Sequence, residues 1–93
     1  MTQLATIGRH ATSVTHEDGA TVVRYHWTDV VIVKGRTVTL KANGYQTATT
    51  KVRMNQAARQ FGLNYTVFQK DFGWYVDTPG GTLDFYDGIT FDA

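Results

Sequence analysis

Ser13 is the only serine in the chain and cysteine is absent, so a serine- or threonine-type hydrolase would have to draw on one serine and fifteen threonines. The nearest bases to Ser13 are His10 and His16. On an extended strand both alternate to the opposite face, which denies the hydroxyl a base within hydrogen-bond reach. His10, His16 and His26, with Glu17 and Asp18, include metal-ligand types. Yet His10 and His16 lie about 20 Å apart along a regular strand, and no helical i, i+4 pair of ligands occurs. Asp71, Asp77, Asp84 and Asp87 flank turn signals, where aspartate caps the turn with its own side chain. Asp71-Phe72-Gly73 matches a kinase magnesium motif without the Gly-rich and catalytic loops that give it meaning. Asn64-Tyr65-Thr66 fits a glycosylation sequon, which requires secretion to matter. No phosphate-binding glycine signature is present. The reading is a protein that is not an enzyme, with no catalytic residue, no metal site and no cofactor.

Charge is the more informative chemistry. The formal net charge of +1 hides a split: residues 1–70 carry all nine bases and three acids, while 71–93 carry five aspartates and no base. Such asymmetry points to an anionic partner, or to two ends that neutralise each other in the fold. Lys51, Arg53 and Arg59 make the predicted helix wholly basic among its charged residues, and Lys51, Asn55 and Arg59 share one i, i+4 row. Lys51, Arg53, Asn55, Arg59, Lys41 and Lys70 are therefore the candidate anion or nucleic-acid contacts. The start at Thr49-Thr50-Lys51 adds free N–H groups at a helix N-terminus. Against this, a pI near 8.1 is modest for a nucleic-acid binder.

The elements that position these residues follow from turn signals and apolar spacing. Ninety-three residues make one domain, 1–93. Threonine, valine and tyrosine favour strands, read near 4–16, 20–28, 29–33 and 36–41. A two-residue turn at Asp18-Gly19 sets Val14 opposite Val23 and Thr12 opposite Tyr25. It also sets His10 opposite Trp27. A second turn at Lys34-Gly35 sets Val31 opposite Val38. Val23, Tyr25, Trp27, Val31, Val33, Val38 and Leu40 then share the core face. Val22, Val30 and Ile32 fall on the other face, a candidate surface for a partner or a homodimer.

One helix is predicted over about 50–61, capped by Thr49 or Thr50 and stopped at Gly62, with Met54, Ala57, Ala58 and Phe61 facing the sheet. Strands return at 65–70 and 74–77 around a three-residue loop, Asp71-Phe72-Gly73, with Gly73 at positive φ. Thr78-Pro79-Gly80-Gly81 is a further turn, and Asp87-Gly88 joins 83–86 to 89–91. The fold class is α+β: a mainly antiparallel sheet with an N-terminal meander, one helix and C-terminal hairpins, as a single layer of helix on sheet. The longest apolar run, Val30 to Val33, is too short to span a membrane.

Three segments resemble small uncharacterised proteins of tailed bacteriophages: Tyr25-His26-Trp27-Thr28, the run from Thr47 to Gln56, and Val67-Phe68-Gln69-Lys70 followed by Trp74-Tyr75-Val76. The resemblance spans residues 20 to 91. It implies a viral accessory protein acting in the host bacterial cytoplasm, and it transfers no catalytic residue. By that analogy the expected partner is a host protein, such as a host enzyme or defence system that it inhibits. Nucleic acid is the alternative.

Overall fold

The computed structural model describes residues 12–26, 28–43 and 47–93. Among them the chain runs β1 (Thr12–Glu17), β2 (Ala20–Tyr25), β3 (Thr28–Lys34), β4 (Thr37–Leu40), α1 (Ala48–Gln60), β5 (Thr66–Lys70), β6 (Gly73–Thr78), β7 (Gly81–Asp84) and β8 (Ile89–Asp92). All pairings are antiparallel. The α+β class is as expected, but the strands divide into two sheets, ordered β1-β2-β3-β4-β8 and β5-β6-β7. The helix packs on β2 and β3 of the large sheet and on β5 of the small one. One core therefore serves all three parts, running from Val23, Val31 and Leu40 through Met54 and Ala57 to Val67 and Val76.

The first hairpin keeps the expected register. Asp18 (φ 49°) and Gly19 (φ 78°) form a type I′ turn, which pairs Thr12 with Tyr25 and Val14 with Val23. The expected pairing of His10 with Trp27 lies outside the described residues. The next turn is displaced: Lys34 pairs with Thr37 across Gly35-Arg36, so Val33 faces Val38 and Val31 faces Leu40. Gly35 takes φ 62°, the requirement of a type II′ turn at its first central position. Relative to the expected Lys34-Gly35 turn, the shift is two residues, so Val31, Val33, Val38 and Leu40 keep their expected face, while the place expected for Trp27 lies outside the described residues. Val23, Val31, Val38 and Leu40 are fully buried, with Tyr25 and Val33 packed against them.

Val30 corrects the second-face assignment. Between Val23↔Val31 and Arg24↔Asp29 the ladder gains one residue on β3, and that residue is Val30. A bulge of this kind re-aims a side chain, and Val30 turns into the core at 1% exposure. Val22 and Ile32 stay paired on the outer face, half-buried.

The helix begins two residues before the expected start. Thr47, extended at ψ 162°, is the N-cap, and its hydroxyl accepts from the Thr50 N–H at 3.2 Å. At the other end Leu63 N–H bonds Ala58 C=O and Gly62 N–H bonds Arg59 C=O, with Gly62 at φ 66°. This is a Schellman ending, which accounts for the glycine. Met54, Ala57 and Ala58 are buried as the spacing predicts, and Phe61 is partly so.

The C-terminal strands differ from the expected hairpins in two ways. Asp71 (φ 50°) and Phe72 (φ 68°) alone make the β5–β6 turn, and Gly73 is the first residue of β6. A three-residue loop would set Val67 against Asp77. The two-residue turn sets Val67 against Val76, and both are buried. Nor do β7 and β8 pair through Asp87-Gly88: β7 closes the small sheet while β8 joins β4. Asp87 accepts from the Ala42 N–H at 2.9 Å and holds that crossing to the large sheet.

Candidate functional site

The predicted cations are spread over α1, which carries Lys51, Arg53 and Arg59, the end of β5, which carries Lys70, and the segment after β4, which carries Lys41. Arg53 turns toward β1, where its Nε donates to Thr12 Oγ1 at 2.9 Å, a guanidinium nitrogen donates to Gln56 Oε1, and its guanidinium carbon lies 5.7 Å from the Tyr25 ring centre. Arg59 is exposed in a cleft of about 510 Å³ that also contains Asp77, Thr78 and Pro79. Lys41 is exposed in another cleft, with Asp29 and Asp87. Lys70 ends β5, beside the turn. Lys51, half-buried on α1, completes the set. Arg59 and Lys41 thus share clefts with tail aspartates, and Arg53 is engaged by a hydroxyl of β1.

Asn55 has a structural role that its place in the basic row concealed. Its Nδ2 donates to Val67 C=O at 2.9 Å and its Oδ1 accepts from Val67 N–H at 2.7 Å. One side-chain amide thereby satisfies both outward main-chain groups of Val67, as a neighbouring strand would. Tyr65 adds a second tie, its hydroxyl donating to Met54 C=O at 2.6 Å. Burial pushes that phenol well above its ordinary value. On the outer face of the large sheet, Arg24 donates to Asp29 at 2.8 Å, and this bond raises the guanidinium further.

A cavity of about 510 Å³ opens between the sheet and the helix start, lined by Tyr25, His26, Thr28, Val30, Ala42, Asn43, Thr47 and Thr50. His26 (φ 55°) and Asn43 (φ 51°) both hold left-handed backbone there. The cap groups of the helix are engaged with one another, Thr47 and Thr50 hydroxyls lying 3.0 Å apart. His16 Nδ1 lies 3.0 Å from Thr21 Oγ1. No trio of His, Asp or Glu among the described residues could hold a metal ion.

The feature that the residue-by-residue reading missed is Phe72. Its side chain is 97% exposed at the tip of the β5–β6 hairpin. It also holds φ 68°, a region that suits glycine and is uncommon for a bulky residue. Behind it on the outer face, Phe68 and Tyr75 stack at 5.7 Å. Tyr75 lies across Gly73, where a Cβ would come within 2.9 Å of its hydroxyl. The preference of Val67 for Val76 over Asp77 was the sequence signal that places the turn at Asp71-Phe72.

The model of one protein family, Kyanoviridae Gp96 protein, matches residues 2–92. The chain belongs to that family. It is a family of phage proteins, in agreement with the resemblance drawn from Tyr25–Thr28, Thr47–Gln56 and Val67–Val76. No curated protein and no solved structure matches the chain. Among the described residues, no helix is long and apolar enough to cross a membrane.

Proposed function

We propose that this Gp96-family chain is a non-enzymatic phage accessory protein that binds a host protein in the bacterial cytoplasm. Phe72 carries the reading. A large aromatic side chain fully in water gains nothing from the fold, and its left-handed backbone costs on the order of 1–2 kcal/mol. Both penalties fall on one residue, at the tip of a hairpin whose base is firmly fixed by Asn55 and Tyr65. Exposed aromatics of this kind serve as anchors that fill a partner's pocket. The half-buried Val22 and Ile32 on the large sheet offer a second surface for the same partner or for a homodimer.

Nucleic-acid binding through Lys51, Arg53, Arg59, Lys41 and Lys70 has weaker support: Lys51, Arg53 and Arg59 share α1, but Arg53 is turned onto Thr12, and Arg59 and Lys41 share clefts with aspartates. The test is capture from host lysate with the full chain and with Phe72→Gly, which relieves the turn and so keeps the fold. One host protein should be retained by the natural chain and lost with the variant, its affinity falling about 30-fold for an anchor near 2 kcal/mol. Equal retention of a host protein by both chains would sink Phe72 as the anchor, and retention of none by the natural chain would sink the reading. So would affinity for DNA that falls with salt at a slope near −3.6, the value for about four phosphate contacts.

A further inference from the structure

The two edges of the small sheet differ. On β5 the outward groups of Val67 are both taken by Asn55. Among the described residues nothing equivalent occurs on β7. Phe85 N–H bonds Trp74 C=O at 3.0 Å, and in an antiparallel ladder this fixes the alternation. Gly81 and Leu83 face β6, whereas the N–H and C=O of Thr82 and Asp84 point away from it. The sheet order ends at β7, and all four of its residues are exposed. The Thr82 hydroxyl turns back to Asp77 at 3.3 Å, and no described side chain is bonded to the outward main-chain groups of Thr82 and Asp84.

We infer that β7 is the acceptor for a basic extended segment of a partner protein, which adds to the small sheet as a fourth strand; this rests on the protein-partner reading above. Main-chain bonds to Thr82 and Asp84 would supply the pairing. The side chains set the chemistry. Tyr75 pairs with Asp84 and Asp77 with Thr82, which places both carboxylates on the outer face. Lys70, on the far strand, is the sole base in β5, β6 and β7. On the inner face Leu83 remains 39% exposed although it pairs with fully buried Val76. An incoming strand would therefore set basic side chains opposite Thr82 and Asp84 and an apolar one opposite Leu83. The alternation basic–apolar–basic follows.

The probe is a short capped peptide alternating lysine and valine, added to the full chain and followed by amide hydrogen exchange. Thr82 and Asp84 amides should slow by about tenfold, since exchange from a paired edge requires opening. The same peptide N-methylated on alternate amides, and a glutamate–valine peptide, should leave both amides unchanged. Thr82→Pro removes an outward donor without touching the β6 ladder and should abolish the protection of the Asp84 amide. Asp84→Lys, which retains the strand, should weaken the lysine peptide and admit the glutamate one. Unchanged exchange with the lysine peptide, or equal protection by its methylated form, would overturn strand addition. Phe72→Gly separates the two ideas. A host protein lost with that variant, but with no protection at β7, overturns only the edge. Protection at β7 with no Phe72-dependent partner supports the edge and overturns only the anchor.

Discussion

Two hairpins in this molecule close with the same type I′ turn and meet its demand differently. The β1–β2 turn places Asp18 and Gly19 at φ 49° and 78°, and the β5–β6 turn places Asp71 and Phe72 at 50° and 68°. Glycine adopts the second position without a steric penalty, whereas phenylalanine does not. The supports differ as well. The first hairpin is held by its ladder, by its place in a five-stranded sheet and, at the end far from its turn, by Arg53 of the helix on Thr12 and Tyr25. The second is tied to the helix by Asn55 on Val67 and by Tyr65 on Met54, and Trp74 packs edge-on against Phe85 at 5.5 Å. Strain persists in a fold where the surroundings over-determine it, and the over-determined hairpin is the one that carries Phe72.

The comparison breaks most readily at Asn55. Asn55→Ala leaves a part-buried N–H and C=O of Val67 without partners and should cost about 2–4 kcal/mol. Urea unfolding measures that loss, and amide exchange should locate it in the small sheet rather than at the β1–β2 turn. Gly19→Phe gives the first turn the burden of the second. Nothing lies within 4 Å of a Cβ at Gly19, so the expected loss of about 1–2 kcal/mol reports backbone alone. Tyr65→Phe removes the bond to Met54 and should cost about 1 kcal/mol at neutral pH. It also changes the alkaline limb. The folded state holds the Tyr65 proton more tightly than the unfolded chain, whose phenol has the ordinary value of 10.0. Stability from this group is full below that pH and falls as pH rises above it, and Tyr65→Phe should remove that part of the fall. The smallest effect has the opposite sign. Phe72→Gly should stabilise the fold by about 0.5 kcal/mol, relief of strain being partly offset by the freedom of glycine in the unfolded chain.

The same contrast explains what could be read from the sequence. Asp18-Gly19 lies between alternating strands, and its register and faces were legible to the residue. Asp71-Phe72-Gly73 misled because its glycine drew the positive φ that the two residues before it adopt. Met54, Ala57 and Ala58 announced the buried helix face, but Asn55 looked like a surface contact because its partner is a main chain twelve residues away. Val30 was misassigned because a continuous apolar run gives no alternation from which a bulge could be detected. The candidate site was the least legible part. Neither the strain on Phe72 nor the division into two sheets is written in residue types; both depend on how distant strands pair.

The extra residue at Val30 has a consequence for how the chain finds its native pairing. Valines 22 and 23 face an apolar stretch from Val30 to Val33, and homogeneous stretches of this kind can slip along one another during collapse with little loss of contact. A slip of two residues would draw Arg24 away from Asp29 and put the bulge out of step with the turn that follows Tyr25. The irregularity therefore acts as a detent. It penalises the shifted alignments that would otherwise compete as folding traps in the middle of the large sheet.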